Sequence, residues 1–264
     1  MGIYDGYLLL SDIDGTLTIR GGAVSEENLR AIRHFQSEGG RFALATGRQP
    51  DYLEHFPFRS NAPAITINGT LLASPEGEIL LSIPMDEDFH DVIRYMMPAY
   101  PGIVRAYRRE RIDSHEWIRE EDGEDLSKLL SGEPCHKFVF VCDEEKTAVE
   151  LMKDLMERYG DRYEYDRSWA VGLEMHKKHS GKDVCLTHLR TLLPDVHTVI
   201  AVGDYENDIP MLRAADIGCA VANAIPAVKE AADRIVVSNE EHAIAYIIDE
   251  LIPSLKGSDA HGSV

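Results

Sequence analysis

Apolar residues fall into two textures along this chain. In the first 70 residues, runs at 7–11, 41–45 and 64–67 are almost continuously apolar, and each ends in a polar or glycine-bearing turn. A strand buried on both faces reads this way, whereas a half-exposed strand alternates, so the runs predict a parallel sheet covered by helices. A helix is expected between the first two runs. Ser25 suits its N-cap, Glu26 and Glu27 its first turn, and Gly39-Gly40 its end. The rhythm resumes late, with helices at 183–193, 208–215, 224–232 and 242–251 alternating with strands at 198–202, 217–222 and 234–237. Together the two stretches predict one doubly wound, Rossmann-like α/β core with a polar, disordered tail at 256–264.

The segment between them has a different pattern. Residues 71–82 read as a hairpin turning at Pro75-Glu76-Gly77. After Pro84 the pattern predicts a helix at 85–99, a hairpin at 103–117 and an acidic linker at 119–132. A strand at 137–142, a helix at 144–159 and strands at 163–166 and 170–175 follow. This predicts an inserted α+β domain at 84–177, the core being residues 1–83 and 178–264. No internal repeat or low-complexity run is visible.

Charge narrows the function. There are 27 basic and 46 acidic residues, a formal net charge of -19, in a chain of 264 that is 44% hydrophobic and 28% charged. Such a chain repels nucleic acid and anionic membranes. A small anionic metabolite remains a suitable partner if a metal or local cation inverts the field at the site. Cys135, Cys142, Cys185 and Cys219 form no C-x-x-C pair and read as reduced, buried thiols. The apolar residues at 7–10 run directly into Ser11-Asp12, so no signal peptide is expected, and Gly6 stands where myristoylation wants Ser or Thr. No apolar run reaches bilayer length. A cytoplasmic monomer or homodimer is expected.

In an open parallel sheet, ligands bind beyond the carboxyl ends of the strands. The first strand is followed by Asp12-Ile13-Asp14-Gly15-Thr16, the second by Thr46-Gly47-Arg48 and the third by Asn68-Gly69. The strand at 198–202 is followed by Gly203-Asp204-Tyr205-Glu206-Asn207-Asp208. Asp12 and Asp14 flank one residue and so share a face at an extended strand end. With Asp204 and Asp208 they would repel one another strongly unless a cation sat among them, and all-oxygen ligands favour Mg²⁺. Phosphate monoesters need enhancements up to about 10²¹. A nucleophile, a metal, a lysine and a proton donor must therefore act together.

These residues carry a resemblance. Asp12-Ile13-Asp14-Gly15-Thr16-Leu17-Thr18 resembles the first motif of the haloacid dehalogenase superfamily, and Ala45-Thr46-Gly47-Arg48 the second motif of its Cof-type phosphatase branch. Lys182 is similar to the third, and Gly203-Asp204-x-x-Asn207-Asp208 to the fourth. Ala220-Val221-Ala222-Asn223-Ala224 and Ala231-Ala232-Asp233 are also Cof-like. The resemblance implies that Asp12 attacks phosphorus and that Asp14 is the acid and then the base. Asp12 and Asp204 would ligate Mg²⁺ with the carbonyl of Asp14, and Asp208 directly or through water. Thr46 and Lys182 would hold the phosphoryl oxygens with help from Asn207. Gly47, Arg48 and Asn68 are further phosphate- or substrate-binding candidates. The third motif departs from the pattern, since Gly181 precedes Lys182, and Lys177 and Lys178 offer rival alignments.

Each motif also has a plainer reading as turn or capping chemistry. What favours function is their convergence at four strand ends. About ten residues separate Asp14 from Ser25, too few for a helical insertion. By the resemblance, the insertion at 84–177 is a lid that reads the leaving group of a sugar phosphate or another small phosphomonoester. A phosphosugar mutase using the same intermediate, or a non-catalytic phosphosugar-binding protein, are the alternatives. The basic cluster Arg105, Arg108, Arg109 and Arg111 could grip a substrate's polar groups, but a solvated hairpin face is the favoured reading. His176 and His179 lack partners at zinc-ligand spacing.

Overall fold

The computed structural model describes residues 2–109, 120–121 and 134–259. The elements in chain order are β1 (Tyr7–Ser11), α1 (Glu26–Ser37), β2 (Arg41–Leu44), β3 (Ala64–Thr66), β4 (Leu71–Ala73), β5 (Ile79–Ser82), α2 (Phe89–Ala99), β6 (Ile103–Arg109) and β7 (Glu120–Glu121). Then come β8 (Lys137–Cys142), α3 (Glu145–Tyr159), β9 (Tyr163–Trp169), β10 (Gly172–Lys177), α4 (Lys182–Leu192), β11 (Thr198–Gly203), α5 (Ile209–Ala214), β12 (Ile217–Ala220), α6 (Pro226–Ala231), β13 (Arg234–Ile235), α7 (Ala243–Tyr246) and α8 (Ile252–Asp259).

The apolar runs form the parallel sheet for which their composition suits them. Its order is β13-β12-β11-β1-β2, with Leu9 level with Ile200 on one side and Phe42 on the other. Leu8, Leu9 and Leu10 have no solvent exposure, and each contributes about 1.5–3 kcal/mol by burial. Ser25 accepts the Asn28 N–H at 3.3 Å and so starts α1, which buries Leu29, Ile32 and Phe35. Helix α1 packs on α7, and α4 on α5, giving the two helical layers of a doubly wound core.

The second sheet, β7-β6-β8-β10-β9, is antiparallel. Phe138 and Phe140 of β8, Leu173 and Met175 of β10, and Val92, Ile93 and Met96 of α2 form its own apolar cluster, joined by Leu151 and Leu155 of α3. Alternation does the sorting, for Glu174 and His176 of β10 lie on the opposite face from Leu173 and Met175. The chain enters this unit after β5 and leaves at α4. Between Leu17 and α1 there is only a short flap, closed by the antiparallel bridge between Thr18 and Val24.

Several boundaries differ from those expected. The third run does not join the parallel sheet as a full strand. Ala45 and Ile65 form one parallel bridge, while β3 makes its ladder with β4 in a three-stranded antiparallel sheet. Its hairpin turns at residues 75–77 as expected, with Gly77 at φ 89°. Helix α2 starts at Phe89 rather than 85, because the carbonyls of Asp86, Glu87 and Asp88 accept the N–H groups of Phe89, His90 and Asp91 in three-residue turns. The C-terminal helix runs to Asp259, four residues into the tail expected from 256, whose remainder lies outside the described residues. Ile252 is fully buried and Leu255 packs on the core, which ties the extra turns down. The hairpin expected at 103–117 is seen as β6 up to Arg109. Its remainder, the linker apart from β7, and the last five residues lie outside the described residues. Arg111 and the side chains of Arg105, Arg108 and Arg109 also lie outside them. All four cysteines are buried and free. Among the described residues no helix is long and apolar enough to cross a membrane.

Candidate active site

Strands β1 and β11 lie side by side at the middle of the sheet, and the chain winds away from β1 in both directions. Their carboxyl ends therefore open the crevice in which such sheets hold ligands. The Asp12 N–H donates to Val202 O at 3.0 Å, which places its side chain beside the loop after β11. Carboxylate oxygens of Asp12, Asp204 and Asp208 come within 4.8 Å of one another. Lys182, the first residue of α4, is fully buried; its Nζ donates to Asp12 Oδ1 at 2.8 Å and to Asp208 Oδ1 at 2.6 Å. Lys177 instead pairs with Asp86 and Lys178 with Glu164, away from the carboxylates. The geometry thus selects Lys182 among the three candidate lysines.

The loops hold these groups in place. The other Asp208 oxygen accepts the N–H groups of Asp204 at 2.9 Å and Tyr205 at 3.2 Å. Thr16 donates to Asp204 Oδ1 at 2.9 Å. Gly15 sits at φ 84°, and a Cβ there would lie 2.5 Å from Asp204 Oδ2, so only glycine lets the two loops close.

Asp12 and Asp208 share one ammonium in a nearly dry space, with Asp204 beside them, and the protonation of Asp12 and Asp204 reflects it. Burial pushes the Asp12 carboxyl well above the usual range, aided by Asp208 and Asp204 and opposed by Lys182. Asp204 is pushed up to about 7, by burial first and then by the charge of Asp208. For Lys182, burial works against the ammonium, but Asp12 and Asp208 outweigh it and raise its pKa. Such an oxygen-only cluster with surplus negative charge fits a hard divalent cation, and Mg²⁺ is suited to it.

Asp14 faces the cavity rather than this cluster. Its carboxylate accepts Arg48 Nε at 2.9 Å and Arg48 Nη2 at 3.0 Å, and the guanidinium lies over the Tyr52 ring. Thr46 is buried, with its Oγ1 accepting the Arg48 N–H at 3.1 Å. Asn207 borders the cavity and donates to Asn68 Oδ1 at 3.2 Å. Asn68 itself lies behind the wall, fully buried in a left-handed conformation, and donates to Glu174. It braces the site and does not line it.

The cavity of about 380 Å³ is bounded by Asp12, Asp14, Thr46, Gly47, Arg48, Asp204 and Asn207 on the sheet side. The opposite wall, which motif reading missed, is Lys137, Ser168, Trp169 and Glu174 from the second sheet, with Tyr205 at the edge. Lys137 Nζ donates to Glu174 Oε1 at 2.7 Å and to Gly47 O at 3.0 Å, and Ser168 donates to Glu174 Oε2 at 2.8 Å. Arg167 reaches Glu206 with Nε at 2.8 Å and Nη2 at 2.5 Å. A signal was present in the sequence: Lys137 is the one charge of β8, and Glu174 stands between Leu173 and Met175 of β10. His176 is engaged by Asp166 and Ser180, each at 2.8 Å.

Comparison with known proteins agrees with this geometry. Residues 9–248 match the family of haloacid dehalogenase-like hydrolases. A 5-amino-6-(5-phospho-D-ribitylamino)uracil phosphatase of Bacillus subtilis is 26% identical over 92% of this chain and 97% of its own. A phosphoglycolate phosphatase of Methanopyrus kandleri is 27% identical over 93% and 97%. A Streptococcus mutans protein of known structure, SMU.1108c, superposes with TM-score 0.81 at 23% identity over 93% of this chain and 98% of its own, a likeness of fold. The motifs, the fold and the family match converge, and the chain belongs to the haloacid dehalogenase-like hydrolases, in their Cof-type branch.

Proposed function

We propose that this enzyme is a Mg²⁺-dependent phosphomonoester hydrolase working through an aspartyl phosphate on Asp12, with a small phosphorylated metabolite as substrate. The observation that carries the reading is Lys182 bridging Asp12 and Asp208, with Asp204 alongside, where Asp12 and Asp204 border a cavity. Relatives named as phosphatases support the reaction class. Their named substrates differ widely, one having a ribitylaminouracil leaving group and the other glycolate.

Asp12 Oδ attacks phosphorus as the bond to the leaving oxygen breaks, and Asp14 gives that oxygen its proton. Asp14 then takes a proton from water, whose oxygen attacks phosphorus and frees Asp12 and inorganic phosphate. Lys182 and Thr46 hold phosphoryl oxygens, with Asn207 assisting, and Arg48 keeps Asp14 turned into the cavity. A Mg²⁺ held by Asp12, Asp204 and Asp208 would supply charge neutralisation between nucleophile and phosphoryl group. Residues 84–177 act as the lid domain over a core of 1–83 and 178–264. The two sheets meet at the cavity, through Lys137 on Gly47 and Arg167 on Glu206.

The test is Asp12→Asn, assayed for phosphate release from a panel of phosphomonoesters with Mg²⁺. Loss of turnover is expected in a variant with unchanged circular dichroism, because an amide is no nucleophile. A folded Asp12→Asn protein that still turns over at a substantial rate removes the covalent mechanism.

A further inference from the structure

We propose that Glu174 sets the charge of the substrate this enzyme accepts: by neutralising Lys137 in the lid-side wall, it turns away leaving groups that carry a negative charge and admits neutral ones. This rests on the phosphatase reading above and goes further in naming the leaving-group class. Of the residues seen to line the wall facing the phosphate-binding floor, Lys137 is the one cation, and Glu174 lies 2.7 Å from it. Both are buried, at 2% and 4% side-chain exposure, so solvent does little to screen the pair. Their remaining bonds lock them together. Lys137 is held by the Gly47 carbonyl, and Glu174 by Ser168 and Asn68. The other groups of this wall, Ser168, Trp169 and Tyr205, are neutral. On the floor, Arg48 is engaged by both oxygens of Asp14.

A carboxylate or second phosphate on the leaving group would thus meet no uncommitted cation among these groups. It would have to displace Glu174 from Lys137 or Asp14 from Arg48, while facing Glu174 across a low-dielectric cavity. A hydroxyl-bearing or otherwise uncharged leaving group has no such barrier and finds Ser168, Tyr205 and the Glu174 oxygens as hydrogen-bonding groups.

Matched pairs test this. 2-Hydroxyethyl phosphate and phosphoglycolate differ by CH₂OH against COO⁻, as do glycerol 3-phosphate and 3-phosphoglycerate. In each pair the native enzyme should favour the neutral member by at least about tenfold in kcat/KM. Glu174→Gln leaves Lys137 charged and unneutralised, and the ratio should move towards the carboxylate by at least about fivefold. Lys137→Met should move it the other way, and Lys137→Met with Glu174→Gln should leave it near the native value. Ratios cancel any loss common to both substrates, and the opposed single variants keep the test alive if one of them fails to fold. An enzyme that cleaves 4-nitrophenyl phosphate yet shows a ratio near one, or single variants that shift the ratio alike, overturns this proposal alone. A native enzyme that releases phosphate from none of these compounds overturns the phosphatase reading and this proposal with it.

Discussion

Substituting Asn for Asp204 should strengthen the metal-free fold while abolishing activity. In the folded protein the Asp204 carboxyl is pushed up to about 7, against about 3.9 in an unfolded chain. The native state therefore holds this proton more tightly than the unfolded state does. Its contribution to stability is complete below about pH 4 and is lost as pH rises through 7. The gap between the two values is worth up to about 4 kcal/mol above pH 8. Asn has no proton to give up, and it retains an oxygen to accept the bond that Thr16 donates at 2.9 Å. In excess chelator, urea denaturation should give equal midpoints for both proteins near pH 4. By pH 8 the variant should be more stable by a few kcal/mol, with an unchanged denaturant slope. Adding Mg²⁺ should reverse the order, since binding stabilises only a protein with a complete ligand set. A variant no more stable than the native protein at pH 8 in chelator would show that the buried Asp204 carboxylate does not destabilise the metal-free fold, and would refute this reasoning.

Two further outcomes test other parts of the site. Asp14→Asn should spare the first step for an aryl phosphate, whose phenol leaves without a proton, and stall the second. Rapid quench should then show a burst of phenol near one per site, while alkyl phosphates lose roughly 10²–10⁴ in rate; no burst in a metal-competent variant counts against the proton-shuttle role. Arg167→Met removes a partly buried bidentate pair with Glu206, worth roughly 1–2 kcal/mol. KM should rise about tenfold with kcat little changed, and the exchange Arg167→Glu with Glu206→Arg should recover part of the loss; an unchanged KM would mean the pair does not hold the lid.

What the sequence revealed followed from local rules. Continuous apolar runs marked β1 and β11, and the polar residues after them marked the acids, because strand ends lie a fixed step beyond strands. Lys182 stood out only by its place before a helix, and its choice over Lys177 and Lys178 needed the fold to bring it to Asp12. The cavity wall from the antiparallel sheet was hidden for a different reason. Lys137 and Glu174 lie 37 residues apart and meet only because β8 and β10 pair with Phe138 level with Met175. Register between strands separated by a helix is not written in either strand. The contacts of Asn68 were hidden for a related reason: its strand-end position put it near the site, but only the fold shows its left-handed backbone placing it between Glu174 and Asn207.

The adjacency of β1 and β11 also fixes an order of events during synthesis. Tyr7 pairs with Thr198, so β1 waits for about 190 further residues before its second neighbour exists. The apolar cluster of the antiparallel sheet spans only Met85 to Met175 and is complete sooner. On the ribosome this inserted unit can bury its core first, while β1 and β2 hold their apolar faces without β11. Asp12 gains Asp204 and Asp208 as neighbours only when the loop after β11 emerges.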